Sequence, residues 1–561
     1  TPCGTLFPYT TLFRSRGGTV FIESESGDAV VQGRVSATGE SGPGGTIHVL
    51  GERVALWGEA ELDASGGTGG GEVLVGGDFQ GQGDLHRSRH TVMGPDATVK
   101  ANALDSGDGG KVVLWSDGAT RAHGAIEARG GTESGDGGMV EVSGKEHLVF
   151  DVQVDTQAPA GKAGTILLDP ATLDIIPGTA GTGDQDENLP TIFWDGPDTA
   201  DNRISDQALE ALSGDVYIEA EGLVTINALG DPLNMSNVTD GYRFTISSRS
   251  AGGIQFVDPT DTIQTGGGEI WLTARGSGSL TNIGNLTVQN PSTGHPQNVY
   301  LFAEEGSIER LGDIDAGGRG APYPGVTLEA DNIVIGPDRE IRAEGLYLYP
   351  STYGQPIDVG GSDITGDPGV LGLEQGELDG HDVWVIEIGR GAIDVTAPIT
   401  LADRWFVLRS TDSLTVHPGA SITSTDTIGL QGDEIDLLSG PGTLNADIFR
   451  IEPLNGQAFS LGTTDSLDLD LGPNDLAALS GDDLVITSWW SSEPSRVGAD
   501  TTIPSSITGD VKLRQSGGSA ELHVDAPLSL AFETATLSLE DWNAISINEP
   551  RSEEHTSELQ S

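Results

Sequence analysis

The chain has 561 residues, 82 of them glycine, with 5% aromatic and 36% hydrophobic residues; glycine stands at about twice its usual share, which excludes a compact globule with a thick core. Asp and Glu number 85 against 28 Lys and Arg, a net charge of −57, and a field of that sign repels phosphate backbones and anionic headgroups, so nucleic acid is not an expected partner. No apolar run approaches the roughly 18 to 20 residues that span a bilayer, so no membrane insertion is expected.

The two ends read as foreign to the natural protein. Thr5–Ser15, TLFPYTTLFRS, and Arg551–Ser561, RSEEHTSELQS, look like in-frame translations of the two companion short-read sequencing adapters. Residues 1–15 and 551–561 are therefore set aside and expected to stay out of the folded stack. The first residues do not read as a signal peptide, and what remains is expected to be an internal fragment of a longer protein. Its only cysteine, Cys3, lies in the discarded end. Neither disulfides, zinc–thiolate sites nor a cysteine nucleophile are then available, which suits a chain that crosses a membrane pore unfolded.

From residue 16 to 176 a repeat organises the chain. The run Gly-Gly-x-(Val/Ile)-x-(Val/Ile/Leu) recurs as GGTVFI, GGTIHV, GGEVLV, GGKVVL and GGMVEV, then AGTILL. Its first apolar position falls at Val20, Ile47, Val73, Val112, Val140 and Ile166, in steps of 27, 26, 39, 28 and 26. The long step contains GGDFQGQGDLHRSRHTVMGP, which reads as a loop inserted on one face of a repeat array. A second column follows at Val35, Leu62, Val99, Ile126 and Val154. Both alternate strictly, so one side of each short strand faces inward, and Gly, Ser, Asp and Asn between them supply turns with positive φ. A unit this small cannot bury its apolar face alone, so successive units must stack, with equivalent residues forming ladders down a narrow core. The fold predicted is all-β, a right-handed parallel β-helix.

The residues Gly107–Ile175, with VLWSD, GAIEARGG, GDGGMVEVSGK and GTILLDP in that order and GGDFQGQG upstream, resemble the filamentous haemagglutinin-like large exoproteins of Gram-negative bacteria. Ile204–Ile226, ISDQALEALSGDVYIEAEGLVTI, is similar to the usual continuation, in which a short helical turn precedes the next strands. The resemblance implies a right-handed β-helix, export through an outer-membrane transporter of the two-partner route, display at the cell surface, and adhesion or aggregation. The family's N-terminal secretion domain, a haem site and an Arg-Gly-Asp tripeptide are not found in these residues.

Residues 177–203 combine Gly, Pro and Asp without periodicity and read as a loop or boundary. Short alternating strands continue over 204–345, and a longer, diverged repeat occupies 346–550. In it GLYLYPSTYGQPIDVG parallels IFRIEPLNGQAFSLG, with Gly354-Gln355 matching Gly456-Gln457 at a spacing of 102. Each copy leads into an acidic segment and then another strand.

Candidate chemistry is weighed against this background. Asp184, Asp186, Asn188 and Asp195 echo a calcium loop, but Leu189 replaces the turn glycine and Pro190 follows, so a solvated acidic loop is the plainer reading. His86 and His90 lack the Glu of a zinc motif and fall on a stretch that reads as loop. The segments at 105–110 and 133–138 occupy ordinary turn slots. Trp115, Trp271, Trp384, Trp405, Trp489 and Trp490 could stack on sugar rings, although such residues more often fill core corners.

No catalytic, cofactor-binding or metal residue is assigned, and no cofactor is expected. The expected function is a non-catalytic, secreted surface adhesin or aggregation stalk that meets a cell, glycan or matrix surface through many repeated contacts. The alternative is a polysaccharide-degrading β-helix enzyme, a lyase or glycoside hydrolase. It would need carboxylates converging with a basic residue on one stacked face. Only Lys100, Lys111, Lys145, Lys162 and Lys512 are available as lysines, and no inserted loop concentrates acids, bases and aromatics.

Overall fold

The computed structural model describes residues 13–14, 18–178, 202–288, 298–317, 325–336, 338–361, 369–454, 457–462, 469–489, 491, 494–498, 501–516, 521–531, 536–541 and 545–547. Short strands pair almost wholly in parallel, each with its counterpart one coil away, and the fold is a parallel β-solenoid. The chain divides into two units, Thr1–Gly306 with Leu311–Gly317, and Ser307–Arg310 with Gly318–Ser561.

In the first unit the two predicted columns are ladders. Val20 pairs with Ile47, Ile47 with Val73, Val73 with Val112, Val112 with Val140, and Val140 with Ile166. Val35, Leu62, Val99, Ile126 and Val154 pair in the same way. From Ile47 onward the first ladder is fully buried, which removes apolar surface from water at every coil. A third face escapes the sequence pattern: Arg53–Leu56, His90–Met93, Ala119–Ala122 and His147–Phe150 stack in register. Its strands bury Thr91, Arg121 and His123 beside apolar residues, so alternation is masked.

The turn glycines Gly107 and Gly135 have the expected positive φ, and the paired glycines before each strand have a separate role. None of Gly71, Gly110, Gly138 and Gly164 has a positive φ. Each instead lies where a Cβ would strike the carbonyl oxygen of the glycine one coil back, at 1.9–2.0 Å. The glycine ladder therefore lets backbones approach closely enough for Met139 N–H to donate to Gly110 O at 3.0 Å and Thr165 N–H to Gly138 O at 3.0 Å. Aspartates brace the neighbouring turns. The Asp108 carboxylate accepts from Asp136 N–H, and the Asp136 carboxylate from Lys162 N–H, both at 2.8 Å.

One part of the N-terminal segment set aside does join the stack, correcting the expectation for 1–15. Phe13–Arg14 runs parallel to Arg34–Ser36, in the register Phe13 to Val35. The free edge of that strand offers backbone donors and acceptors to any extended segment, whatever its sequence. Residues 551–561, and the calcium-like loop at 184–195, lie outside the described residues.

At the end of the 177–203 stretch, Arg203–Ser205 is wedged between strands, with Arg203 opposite both Val149 and Asp174. The expected helical turn follows as Asp206–Glu210, capped by the Ser205 hydroxyl, which accepts from Ala208 N–H.

In the second unit one ladder runs Val326, Leu346, Ile386, Phe406, Ile428, Phe449, Leu484, Val511 and Leu537. The paired segments 345–360 and 448–462 share one hydrogen bond: Gln355 N–H donates to Thr352 O and Gln457 N–H to Leu454 O. Each acidic segment holds a short helix, Gln375–Leu378 and Pro473–Ala478. In the first, Glu377 accepts from Glu374 N–H and from Ile335 N–H; in the second, Asp475 accepts from Gly472 N–H and from Leu437 N–H.

Candidate functional site

Two regions on the outer surface of the first unit concentrate polar chemistry. Both lie on the strands that follow the glycine ladder, whose outward residues form columns of their own.

The first region is covered. The inserted loop folds back over Glu72–Val75, Lys111–Ser116 and Met139–Gly144, so that Phe79 and Leu85 pack on Leu74, Val113 and Trp115. Gly77 and Gly81 leave room for the indole, since a Cβ at Gly81 would sit 2.5 Å from it. Trp115 is therefore a core-corner residue, 5% exposed. Asp78 closes the loop by accepting from Phe79 N–H and from Lys111 Nζ, both at 2.7 Å, and Lys111 also reaches Glu72. Beneath the loop Glu141 is fully buried, and its carboxylate accepts from Gln80 N–H at 3.0 and 3.1 Å. Burial pushes the Glu141 carboxyl up to about 7, against the pull of that N–H. Asp169, beyond it, is pushed up to about 6 by burial even though Arg249 lies 3.1 Å away.

The second region is an open hollow of about 300 Å³. It forms where Asp215–Ala220, Arg243–Ser248 and Glu269–Ala274 stack, with Arg243 opposite Glu269 and the outward column Tyr217, Thr245, Trp271, Tyr300 beside them. The turn Thr239–Tyr242 supplies its rim. Gly241 adopts φ +84°, which lets the chain reverse, and Tyr242 N–H donates to Thr239 O at 3.0 Å. The Tyr242 hydroxyl accepts from Ala163 N–H at 2.6 Å, fixing the rim to an earlier coil.

The hollow's charges are arranged in sequence along the stack. Asp215 accepts from Arg243 N–H at 2.8 Å. Glu269 accepts from Arg243 Nε at 3.2 Å, Trp271 Nε1 at 3.0 Å and Asn298 Nδ2 at 2.7 Å. The Arg243 guanidinium lies over the Trp271 ring at 4.2 Å, and Trp271 meets Tyr300 at 4.6 Å. Burial raises the Asp215 carboxyl above its ordinary range, and burial with the nearby Asp215 charge raises the Tyr217 phenol. Asp240 lines the wall, and its Oδ1, out of solvent, has no hydrogen-bond partner among the described residues. The second unit carries a related cluster, in which Arg390 lies 4.0 Å from the Tyr349 ring and Tyr349 donates to Glu387 at 2.9 Å.

In the hollow acids, a base and aromatics do converge, on a stacked face rather than in an inserted loop. Asp215, Arg243 and Glu269 are 28 and 26 positions apart in sequence, one coil each, so only the repeat register could have revealed their convergence.

Other candidates separate. His86 lies 4.0 Å from Glu23, whereas His90 opens a buried strand rather than a loop. The segments at 105–110 and 133–138 stack on each other through Ser106 and Ser134 as repeat turns. Trp405 lies under Arg450, Trp384 and Trp489 are exposed, and Trp490 lies outside the described residues. Lys100 sits between Glu61 and Glu127. Among the described residues no group of three or more His, Cys, Asp or Glu is placed to hold a metal ion.

No protein-family model matches the chain, and no curated protein is significantly similar to it.

Proposed function

We propose that this chain is the solenoid region of a secreted surface exoprotein, similar to the filamentous haemagglutinin-like proteins, which adheres without catalysing a reaction. The observation that carries this reading is the run of outward columns kept in register over successive coils, exposing half-buried aromatic and charged residues such as Tyr217, Trp271, Tyr300 and Arg243. Such a surface presents many repeated contacts, and weak contacts held on one scaffold add as avidity. Export by an outer-membrane two-partner transporter and display outside the cell belong to the same proposal.

The enzyme alternative draws on the convergence of Asp215, Arg243 and Glu269. Against it, Arg243 is tied to Glu269 and stacked on Trp271, and Glu269 already accepts three donors, so neither group is poised to move a proton. The test incubates the purified chain with pectins, alginates, xylans and glucans, and in parallel measures retention of chain-coated beads on epithelial cells and matrix. The expected result is retention without depolymerisation. Reproducible depolymerisation abolished by Asp215→Asn or Glu269→Gln would overturn the adhesive reading.

A further inference from the structure

We propose that the hollow at Asp215, Asp240 and Glu269 binds one pyranose unit of a neutral glycan, an inference that rests on the adhesive reading above.

Its size comes first. About 300 Å³ is at the lower end of the range of small-molecule pockets. That volume suits a sugar ring, not a folded peptide. The walls then select the chemistry. Tyr217 and Tyr242 offer aromatic bodies to the C–H face of a pyranose. Asp215, Asp240 and Glu269 are acceptors for hydroxyl donors, and Arg243 is the one cationic group on the wall.

Asp240 adds an acceptor: it lines the hollow, and its Oδ1 accepts no hydrogen bond among the described residues, so the fold leaves this half-buried carboxylate acceptor capacity that hydroxyls can use. Neighbouring carboxylates also suit vicinal hydroxyls, because each hydroxyl can donate to a charged acceptor.

Charge excludes the anionic glycans. Three carboxylates face one arginine already paired with Glu269, on a chain of net charge −57. Uronates and sulfated sugars meet like charge there. A neutral sugar carries no charge for the carboxylates to repel. The hollow borders the column Tyr217, Thr245, Trp271, Tyr300, whose rungs repeat at about 4.8 Å. Adjoining units of the same polymer can therefore run along the stack.

The test titrates the full chain calorimetrically with cellohexaose, mannohexaose and galactohexaose as neutral probes, and with hexagalacturonate and a heparin hexasaccharide as anionic ones. At least one neutral probe should bind saturably and the anionic probes should not. Asp240→Ala and Tyr217→Ala should each weaken that binding about tenfold or more while keeping the parent's circular dichroism and melting temperature. Binding of the anionic probes, binding of no neutral probe, or unchanged affinity in both variants would overturn the proposal. The bead-retention assay separates the two failures. If parent beads are retained but neither variant nor neutral probes reduce retention, the site is wrong and the adhesive reading survives. If parent beads are not retained at all, that reading falls, and this proposal with it.

Discussion

Replacing Gly138 by alanine tests whether close approach of backbones, rather than turn flexibility, dictates the glycine ladder. Gly138 is buried, and its φ lies outside the left-handed region, so alanine suits its backbone conformation. The obstacle is space: the new Cβ would lie 2.0 Å from Gly110 O, where ordinary contact begins at 3.4 Å. The coils would have to part by about 1.4 Å at that point. That movement strains the Met139 N–H to Gly110 O and Gly138 N–H to Ala128 O bonds, at 3.0 and 2.7 Å. Two weakened bonds, with a buried carbonyl left poorly satisfied, amount to a loss of about 3–5 kcal/mol. The loss is concentrated at one coil junction, since each repeat touches only its neighbours. Gly42→Ala is the matched control, because a Cβ there meets nothing within 4 Å and φ is again not positive. It should shift stability by no more than about 0.5–1 kcal/mol, in either direction. Urea unfolding of both variants, with hydrogen exchange at Met139 and Thr165, reads the difference. If Gly138→Ala unfolds at the same midpoint as Gly42→Ala and keeps its exchange protection, the close-approach argument is wrong.

Two further outcomes concern the covered region. The Glu141 carboxyl sits at about 7 in the folded chain, so the folded state holds that proton more tightly than the unfolded one; its contribution is full below pH of about 4.5 and is lost as pH rises to about 7. The loss is on the order of 3 kcal/mol. Glu141→Gln keeps an acceptor for Gln80 N–H, and should raise the melting temperature at pH 8 while leaving it near the parent's at pH 5; equal gains at both would refute the assignment. Asp169, at about 6, adds a slope of the same sign that the variant retains. Trp115→Ala should cost about 3–5 kcal/mol and expose the loop carrying Phe79 and Leu85 to limited proteolysis; an unchanged cleavage pattern would show that the indole does not hold the loop.

How much of this was legible in the sequence depends on whether the cause was local. The ladders from Val20 and Val35 were readable because alternation within a strand, repeated at one-coil steps, needs no knowledge of the rest of the chain. The third face was not readable, because His90, Thr91, Arg121 and His123 are buried there among apolar residues and break the pattern. The helices at Gln375–Leu378 and Pro473–Ala478 were missed because four- and six-residue helices carry too little periodicity. A signal was nonetheless present: ALSGD after Asp475-Leu476-Ala477 echoes ALSGD after Ala208-Leu209-Glu210, where a helical turn was expected.

The candidate site was missed for a reason built into the fold. One outward column runs Leu74, Val113, Glu141, Leu167, Tyr217, Thr245, Trp271 and Tyr300. Each residue occupies the same slot of its coil, yet Val113 and Glu141 are fully buried while Tyr217 and Trp271 are half-exposed. Position in the repeat does not make that difference. At Leu74, Val113 and Glu141 the inserted loop makes it, covering the slot with Phe79, Leu85 and the Gln80 backbone, whereas Thr245 in the same column is buried without it. On a solenoid of this kind the strands determine which side chains face outward, but the loops determine which of them a ligand can reach. Loop coverage arises between residues far apart in sequence, such as Gln80 and Glu141, so a strand-by-strand reading recovers the scaffold and leaves the accessible surface undetermined.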